Sequence, residues 1–364
     1  MKNKIMNVFR ASLPSLISIL IGLVVAVIIL IVTNPSNAVE GLVKMLKGPF
    51  NYGWKLGLGN MLYYATPIMM TGLSVAFAYK TGLFNIGASG QFFVGAFAGI
   101  LTGAKLAPYV PSSVLWILCL LASMLAGALW ASLVGFLKAW RNVSEVISSI
   151  MMNYIGMYLV LYLIPATGIF NAAKNETIRL TTSIPRFGLR TIFRGSFVDG
   201  GIIIGILVAI LIYILIEKTT FGYELKAVGL NRNAAKYAGI NEFRAIVLSM
   251  VIAGALAGLG GGITYLASTG KSIEILAKIP AEGFNGIAVA LLGMSNPLAV
   301  IFSSMLIAYL NLGGQSMQVI GYVPEIISMM IGVILYVSSL SILFRNVLGK
   351  MKDKRQNKLK KEEA

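Results

Sequence analysis

The polar side chains of this chain that could handle a solute are neutral, and they sit among apolar runs. Asn60, Asn85, Gln91, Asn153, Asn285, Asn311 and Gln315 fall within or beside stretches rich in Leu, Ile, Val, Phe and Gly, with Ser89 between Asn85 and Gln91. An amide carries both donors and acceptors, so such groups can pass a neutral polar solute from one to the next. The same side chains can instead fasten helices to one another by hydrogen bonds. The sequence leaves both roles open, with Asn85 and Asn285 at comparable interrupted segments. The aromatic residues around Leu62–Tyr64 (Tyr63 and Tyr64) and Phe92–Phe93 are of a kind that stacks on a sugar or base ring, or simply packs and anchors.

Other chemistries are excluded more firmly. Histidine is absent, and the lone cysteine, Cys119, can make neither an internal disulfide nor a cysteine-based metal site. The 13 acids avoid the centres of the apolar runs; Glu145, Glu217, Glu282 and Glu325 stand at run ends. Ion-coupled carriers keep ionisable groups within the membrane, and membrane enzymes need paired carboxylates or a metal, so both classes are disfavoured. The run Ser-Thr-Gly-Lys-Ser at 268–272 has the look of a phosphate loop, but the full pattern needs a glycine where Tyr265 stands. The glycine-rich run 258–262 lacks the preceding strand. No ATP site is expected in this chain, so any ATP is used by a partner.

These residues must be positioned by membrane helices. The 364 residues are 57% hydrophobic and 12% charged, with a mean hydropathy of +0.83. Soluble domains carry about a quarter charged residues, so lipid is the expected solvent. The net charge of +17 then marks cytoplasmic loops and not a nucleic-acid partner. Residues 1–11 are basic and lead into an apolar run without a convincing cleavage site, which predicts an uncleaved first span. Spans are expected at 13–32, 57–79, 92–104, 115–137, 146–164, 202–216, 245–267, 284–294, 298–313 and 323–344, each judged against the ~20 apolar residues that cross a bilayer. Pro67 predicts a kink in the second, and Asn142 with Glu145 reads as a capping box opening the fifth. Gly254, Gly258 and Gly262 allow close helix approach.

The fold class read from this pattern is all-α: a polytopic membrane protein of about ten transmembrane helices, with both termini cytoplasmic. Residues 1–344 form one transmembrane domain and 345–364 a basic cytoplasmic tail. The segments assigned to the cytoplasm hold most of the 30 lysines and arginines. Glycines 82, 87 and 90 break one segment, and residues 82–95 share a Gly/Phe/Asn start with 282–293 in the opposite orientation. Broken helices in an inverted repeat are a mark of transporters.

One polar stretch, 218–241 within a cytoplasmic loop of 217–244, interrupts the apolar pattern. Asn231 is a suitable N-cap, residues 232–238 are rich in helix formers, and Gly239 can end the helix. A helix of that length is marginal alone. It either lies on the membrane surface or docks in a cleft of a partner.

The stretch also resembles a known one. Glu224, Ala227, Gly229, Ala234, Ala235, Ala238, Gly239 and Ile240 stand as in the coupling loop of ATP-binding-cassette (ABC) importer permeases of the branched-chain amino acid, ribose and nucleoside group. Residues 72–99 and 142–156 are similar to segments of the nucleoside branch. The ribose branch differs where this chain has Phe84-Asn85-Ile86-Gly87-Ala88-Ser89. The resemblance runs from about residue 56 to 344. It implies a permease subunit of a bacterial cell membrane, paired with a second permease, moving a nucleoside inward from an extracytoplasmic lipoprotein. A cytoplasmic ATPase, holding ATP and Mg, would dock on Glu224, Ala227, Gly229, Asn231, Arg232, Ala234, Ala235 and Gly239. Asn60, Asn85, Ser89, Gln91, Asn153 and Asn285 would line the pathway. A sugar importer of the same architecture, such as one for ribose, is the nearest alternative; an ion-coupled carrier or a lipid-modifying enzyme is the more distant one.

Overall fold

The computed structural model describes residues 20–339. The basic N-terminus, the outer parts of the first and last expected spans and the 345–364 tail lie outside the described residues. In chain order the helices are α1 (Leu20–Thr33), α2 (Ala38–Lys47), α3 (Trp54–Lys80), α4 (Ala88–Leu106), α5 (Ser112–Arg141), α6 (Glu145–Ala166), α7 (Leu189–Ile192), α8 (Gly201–Lys218), α9 (Thr220–Leu230), α10 (Arg232–Tyr237), α11 (Glu242–Tyr265), α12 (Ala281–Leu292), α13 (Pro297–Met317) and α14 (Pro324–Ser339). A short antiparallel hairpin pairs Phe170 with Thr177 and Asn171 with Glu176.

Among the described residues, α3, α5, α6, α8, α11 and the helix beginning at Pro297 are long and apolar enough to cross a membrane, and α1, α12 and α14 are shorter apolar helices. The chain is a helical, multi-pass membrane protein. At 1.5 Å per residue, the 12 residues of α12 reach about 18 Å, well short of a ~30 Å hydrocarbon core. The turn that follows places Met294 and Ser295 at φ 51° and 53°, a left-handed conformation uncommon for residues other than glycine. Helix α3 runs unbroken through Pro67.

The described residues divide into two compact units. In the smaller, formed up to Asn51 and from Leu310 onward, the Tyr322 hydroxyl donates to the Asn34 carbonyl at 3.2 Å, and the Asn51 amide donates to Ser316 Oγ at 2.9 Å. A Cβ at Gly313 would stand 2.6 Å from the Met45 carbonyl oxygen, so α13 meets α2 backbone to backbone there.

In the larger unit, Tyr52–Tyr309, α11 is the hub and packs against α3, α4 and α5. The expected small-residue face is where the helices touch. A Cβ at Gly258 would lie 2.3 Å from the Ser123 carbonyl oxygen on α5, and one at Gly95 of α4 would lie 2.4 Å from Gly258 Cα. Helix α4 is buried on most faces. Protein, not lipid, surrounds it, which permits its Ser, Gln and Gly content.

Two local expectations need correction. Asn142 does not open α6: it ends α5 in the left-handed conformation, Ser144 precedes α6 without a side-chain cap, and Glu145 pairs with Lys138 at 2.9 Å. The Lys138 cation at the end of the preceding helix outcompetes the box. The polar stretch 218–241 holds two helices, α9 and α10, where the sequence suggested one.

At the opposite end of α11, the long loop after α6 is tied to the loop after α11. Thr177 N–H donates to the Ile273 carbonyl at 2.9 Å, Ile275 N–H donates to that of Asn175 at 3.0 Å, and Arg186 donates to Ser268 Oγ at 2.7 Å. Just before α8, Asp199 is buried. Its Oδ1 accepts from the Gly201 N–H at 2.9 Å, while Oδ2 has no partner among the described residues. Burial lifts the carboxyl to about 6, against the pull of the Gly201 and Ser268 N–H groups and the Arg186 charge.

A raised acid contributes stability below its ordinary value near 4 and loses it as pH rises through about 6. Thermal unfolding of the detergent-solubilised protein should therefore show a drop between about pH 4 and 6, of order 2–3 kcal/mol at about 1.4 kcal/mol per pH unit. Asp199→Asn should flatten that drop. Gly258→Leu should cost more than the ~1–3 kcal/mol of ordinary overpacking, seen as loss of the monodisperse protein on size exclusion, because backbone on two helices must move.

Candidate functional site

The polar stretch is built by successive caps. Thr219 ends α8 and its hydroxyl accepts from the Gly222 N–H at 3.1 Å. A Cβ at Gly222 would fall 2.3 Å from the Ile216 carbonyl oxygen, so only glycine lets α9 fold back on the end of α8. Asn231 closes α9 and opens α10, its Oδ1 accepting from the Ala234 N–H at 3.0 Å. Gly239, at φ 82°, ends α10 with the paired N–H contacts of Gly239 to Lys236 and Ile240 to Ala235. Asn241 then caps α11 through the Arg244 N–H at 3.0 Å.

The α9–α10 elbow has two faces. On one, Glu224, Ala227, Asn231, Ala234 and Ala235, together with Tyr223 and Ala238, line a groove of about 610 Å³. Leu230, on its wall, is 89% exposed, and Tyr237, at the end of α10, is 95% exposed. On the other, Gly229 and Arg232 turn toward the body of the protein and line a polar cavity with Lys138, Asn142 and Glu242. Arg232 pairs with Glu242 at the start of α11 and donates to Asn142 Oδ1 at 3.4 Å. A Cβ at Gly229 would lie 2.4 Å from the Lys80 carbonyl oxygen and 2.9 Å from Gly82 N. The elbow is thus seated by bare backbone on the end of α3. Five of the eight residues expected to dock a partner share the groove; Gly229 and Arg232 form the seat, and Gly239 ends the helix. The seat was not legible in the sequence, because nothing in it relates Gly229 to Gly82.

Beyond the seat, residues 81–87 break α3 from α4. Gly82 has φ 72°. Asn85 and Gln91 hold each other reciprocally: Asn85 Nδ2 donates to Gln91 Oε1 at 2.9 Å and Gln91 Nε2 to Asn85 Oδ1 at 3.0 Å. Asn85 also donates to Ser74 Oγ on α3 at 3.0 Å. Asn153 of α6 caps α4 from outside, accepting from the Gly90 N–H at 2.8 Å and donating to the Ile86 carbonyl at 3.0 Å. Asn60 accepts from the Phe197 N–H at 3.0 Å. These amides are buried and direct their hydrogen bonds to protein. Ser89 is fully buried, its hydroxyl without a partner among the described residues, and a Cβ at Gly283 would lie 2.4 Å from Ser89 N. The starts of α4 and α12 therefore meet. Asn285 lies inside α12 and is partly exposed, whereas Asn85 lies in the break before α4.

A family profile described as "Branched-chain amino acid transport system / permease component" matches residues 57–339. The chain is 36% identical over 346 residues to the guanosine ABC transporter permease protein NupP of Bacillus subtilis (strain 168), covering 95% of this chain and 98% of that one. It is 34% identical over 360 residues to the nucleoside ABC transporter permease protein NupB of Lactococcus lactis subsp. cremoris (strain MG1363), covering 95% of each. It is 31% identical over 315 residues to the glucose ABC transporter permease protein TsgB13 of Haloferax volcanii, covering 83% of this chain and 81% of that one. No solved structure matches the chain.

The reciprocal amide pair makes a quantitative prediction. Asn85→Leu or Gln91→Leu alone leaves a buried amide unsatisfied and should cost about 1–3 kcal/mol. The double variant should cost less than the sum, by about 1 kcal/mol or more, in thermal unfolding of the detergent-solubilised protein. Strict additivity would show that the pair is not coupled.

Proposed function

Because the chain belongs to the branched-chain amino acid transport system / permease component family, and is a non-catalytic transport subunit of an ABC importer, we propose that it forms, with a second permease, the route by which nucleosides enter the cell. The elbow carries the mechanical part of this reading. A groove lined by nearly bare Leu230, on an elbow that also exposes Tyr237, is the kind of exposed apolar surface that a partner covers. We assign it to the cytoplasmic ATPase, which holds ATP and Mg²⁺ and does the hydrolysis. The substrate part rests on similarity along 95% of the chain to guanosine and nucleoside permeases.

The mechanism follows from the seat. When the ATPase subunits close or part on nucleotide, they move α9 and α10. Arg232 fixes the elbow to α11 and to the end of α5, and Gly229 bears on Lys80–Gly82, so the displacement reaches the α3–α4 break without slack. The buried amides keep the break a rigid link, and the start of α4 shifts against the start of α12. In this reading Asn60, Asn85, Ser89, Gln91 and Asn153 position helices, and Asn285 is the amide left toward the solute. The elbow is cytoplasmic, both termini lie on that side, about ten spans complete the subunit, and residues 82–95 and 282–293 belong to inverted halves. An extracytoplasmic binding lipoprotein delivers the solute to the other face. The similarity to a glucose permease favours a sugar as the second reading.

Replacing residues 232–237 by a Gly/Ser linker should leave the chain in the membrane and abolish co-purification of an ATPase from mild detergent; an ATPase retained at wild-type level contradicts the docking assignment. Glu224→Arg should abolish uptake of labelled guanosine at normal membrane abundance. Uptake blocked by unlabelled guanosine but not by glucose or ribose supports the nucleoside reading, and the reverse supports the sugar.

A further inference from the structure

A cavity of about 320 Å³ opens where α4, α11 and α12 converge, at the end of α11 away from the elbow. Its wall brings together Phe93 of α4, Tyr265 at the end of α11, Glu282 in the first turn of α12, and Lys271 and Glu274 of the loop between them. We propose that this cavity is the nucleoside-binding subsite of the chain, an inference that rests on the nucleoside reading above. Its position fits a transport site. It adjoins the place where the first turns of α4 and α12 meet, and discontinuous helices form the solute sites of many transporters.

The wall is rigid. The Glu274 segment is paired with Glu176 of the hairpin, and the flanking Thr177–Ile273 and Ile275–Asn175 backbone bonds fix it on both sides. On α12, the Glu282 carbonyl accepts from the Thr71 hydroxyl of α3 at 2.7 Å, so the carboxylate projects from an anchored residue. The volume lies within the ~300–1,000 Å³ of small-molecule sites.

The chemistry suits a ring joined to a polyol. Glu282 is acceptor-only when ionised and can take the two hydroxyl donors of a ribose diol, while Tyr265 offers an aromatic face to a base. In the structure Lys271 rests in that place: its Nζ lies 5.3 Å from the centroid of the Tyr265 ring and 3.5 Å from Glu282 Oε1. The two side chains of the ion pair are 42% and 25% exposed, and pairs so open to water hold weakly. Lys271 is therefore a tethered cation that an arriving nucleoside displaces from both the ring and the carboxylate.

The test is photolabelling of the full transporter, with its partner subunits, by 8-azidoguanosine in native-membrane particles, with the labelled peptide mapped by mass. Label within 265–282 that unlabelled guanosine suppresses is the expected result. Glu282→Gln should raise the half-saturating concentration about tenfold or more, as loss of a charged hydrogen bond does, and Lys271→Ala should lower it. Both variants are checked first for co-purification with the ATPase. Guanosine-suppressed label confined to other segments overturns this site and leaves nucleoside transport standing. No guanosine-suppressed label anywhere, together with no uptake of labelled guanosine, overturns both.

Discussion

The structure depends on one close approach: the backbone of Gly229 against the backbone of Lys80–Gly82. A single methyl at Gly229 would stand 2.4 Å from the Lys80 carbonyl oxygen, so there is no compliant side chain between the elbow and the end of α3. Packed protein is stiff because its atoms are close-packed, and contact through backbone is stiffer than contact through a long rotatable side chain. A permease must convert motion at a water-exposed surface into motion of helices inside a bilayer. A joint without slack does this directly. The ion pairs around it, Arg232–Glu242 and Lys138–Glu145, lie partly exposed and contribute little stability on their own; they set the angle of the elbow.

The second constraint is that polar groups within the membrane must be satisfied by protein. Breaking a helix there frees N–H and carbonyl groups with no water to take them. The chain meets this requirement with side-chain amides. Asn153 reaches across from α6 to take the Gly90 N–H and give to the Ile86 carbonyl, and Asn85 with Gln91 closes a two-bond ring across the break. The glycines have the complementary task. Gly254 and Gly258 bring α11 against α5, which gathers the hub helix and the buried α4 into one packed body.

Much of this was legible from residue types and spacing. Asn231 and Gly239 punctuate α10 as their chemistry requires, and the small-residue repeat on α11 marks its contact face. The helix positions followed from apolar length, because membrane thickness sets a ruler that soluble folds lack. What the sequence could not convey was pairing between distant segments. Asn142 and Glu145 satisfied the spacing of a capping box, yet Lys138, one helix earlier, held Glu145 more strongly. Asn85 and Asn285 share neighbouring residues, and the sequence did not convey that one lies in a break and the other inside a helix. Helix α9 was hidden because its start rests on Thr219 alone and its stability comes from Leu225 and Val228 buried beneath it. The wall of Tyr265, Lys271 and Glu282 spans a loop whose fold depends on a hairpin nearly a hundred residues earlier.

The most direct test of the joint is a distance. Spin labels at Tyr79, exposed at the end of α3, and at Tyr237, exposed on α10, can be introduced as cysteines after Cys119→Ala and read by pulsed electron paramagnetic resonance in the assembled transporter. If the elbow and the end of α3 move as one body, the distance distribution stays the same with no nucleotide and with a non-hydrolysable ATP analogue. A shift of about 5 Å, one helical turn, between the two states would show that the elbow slides on α3 and that the seat does not transmit the stroke.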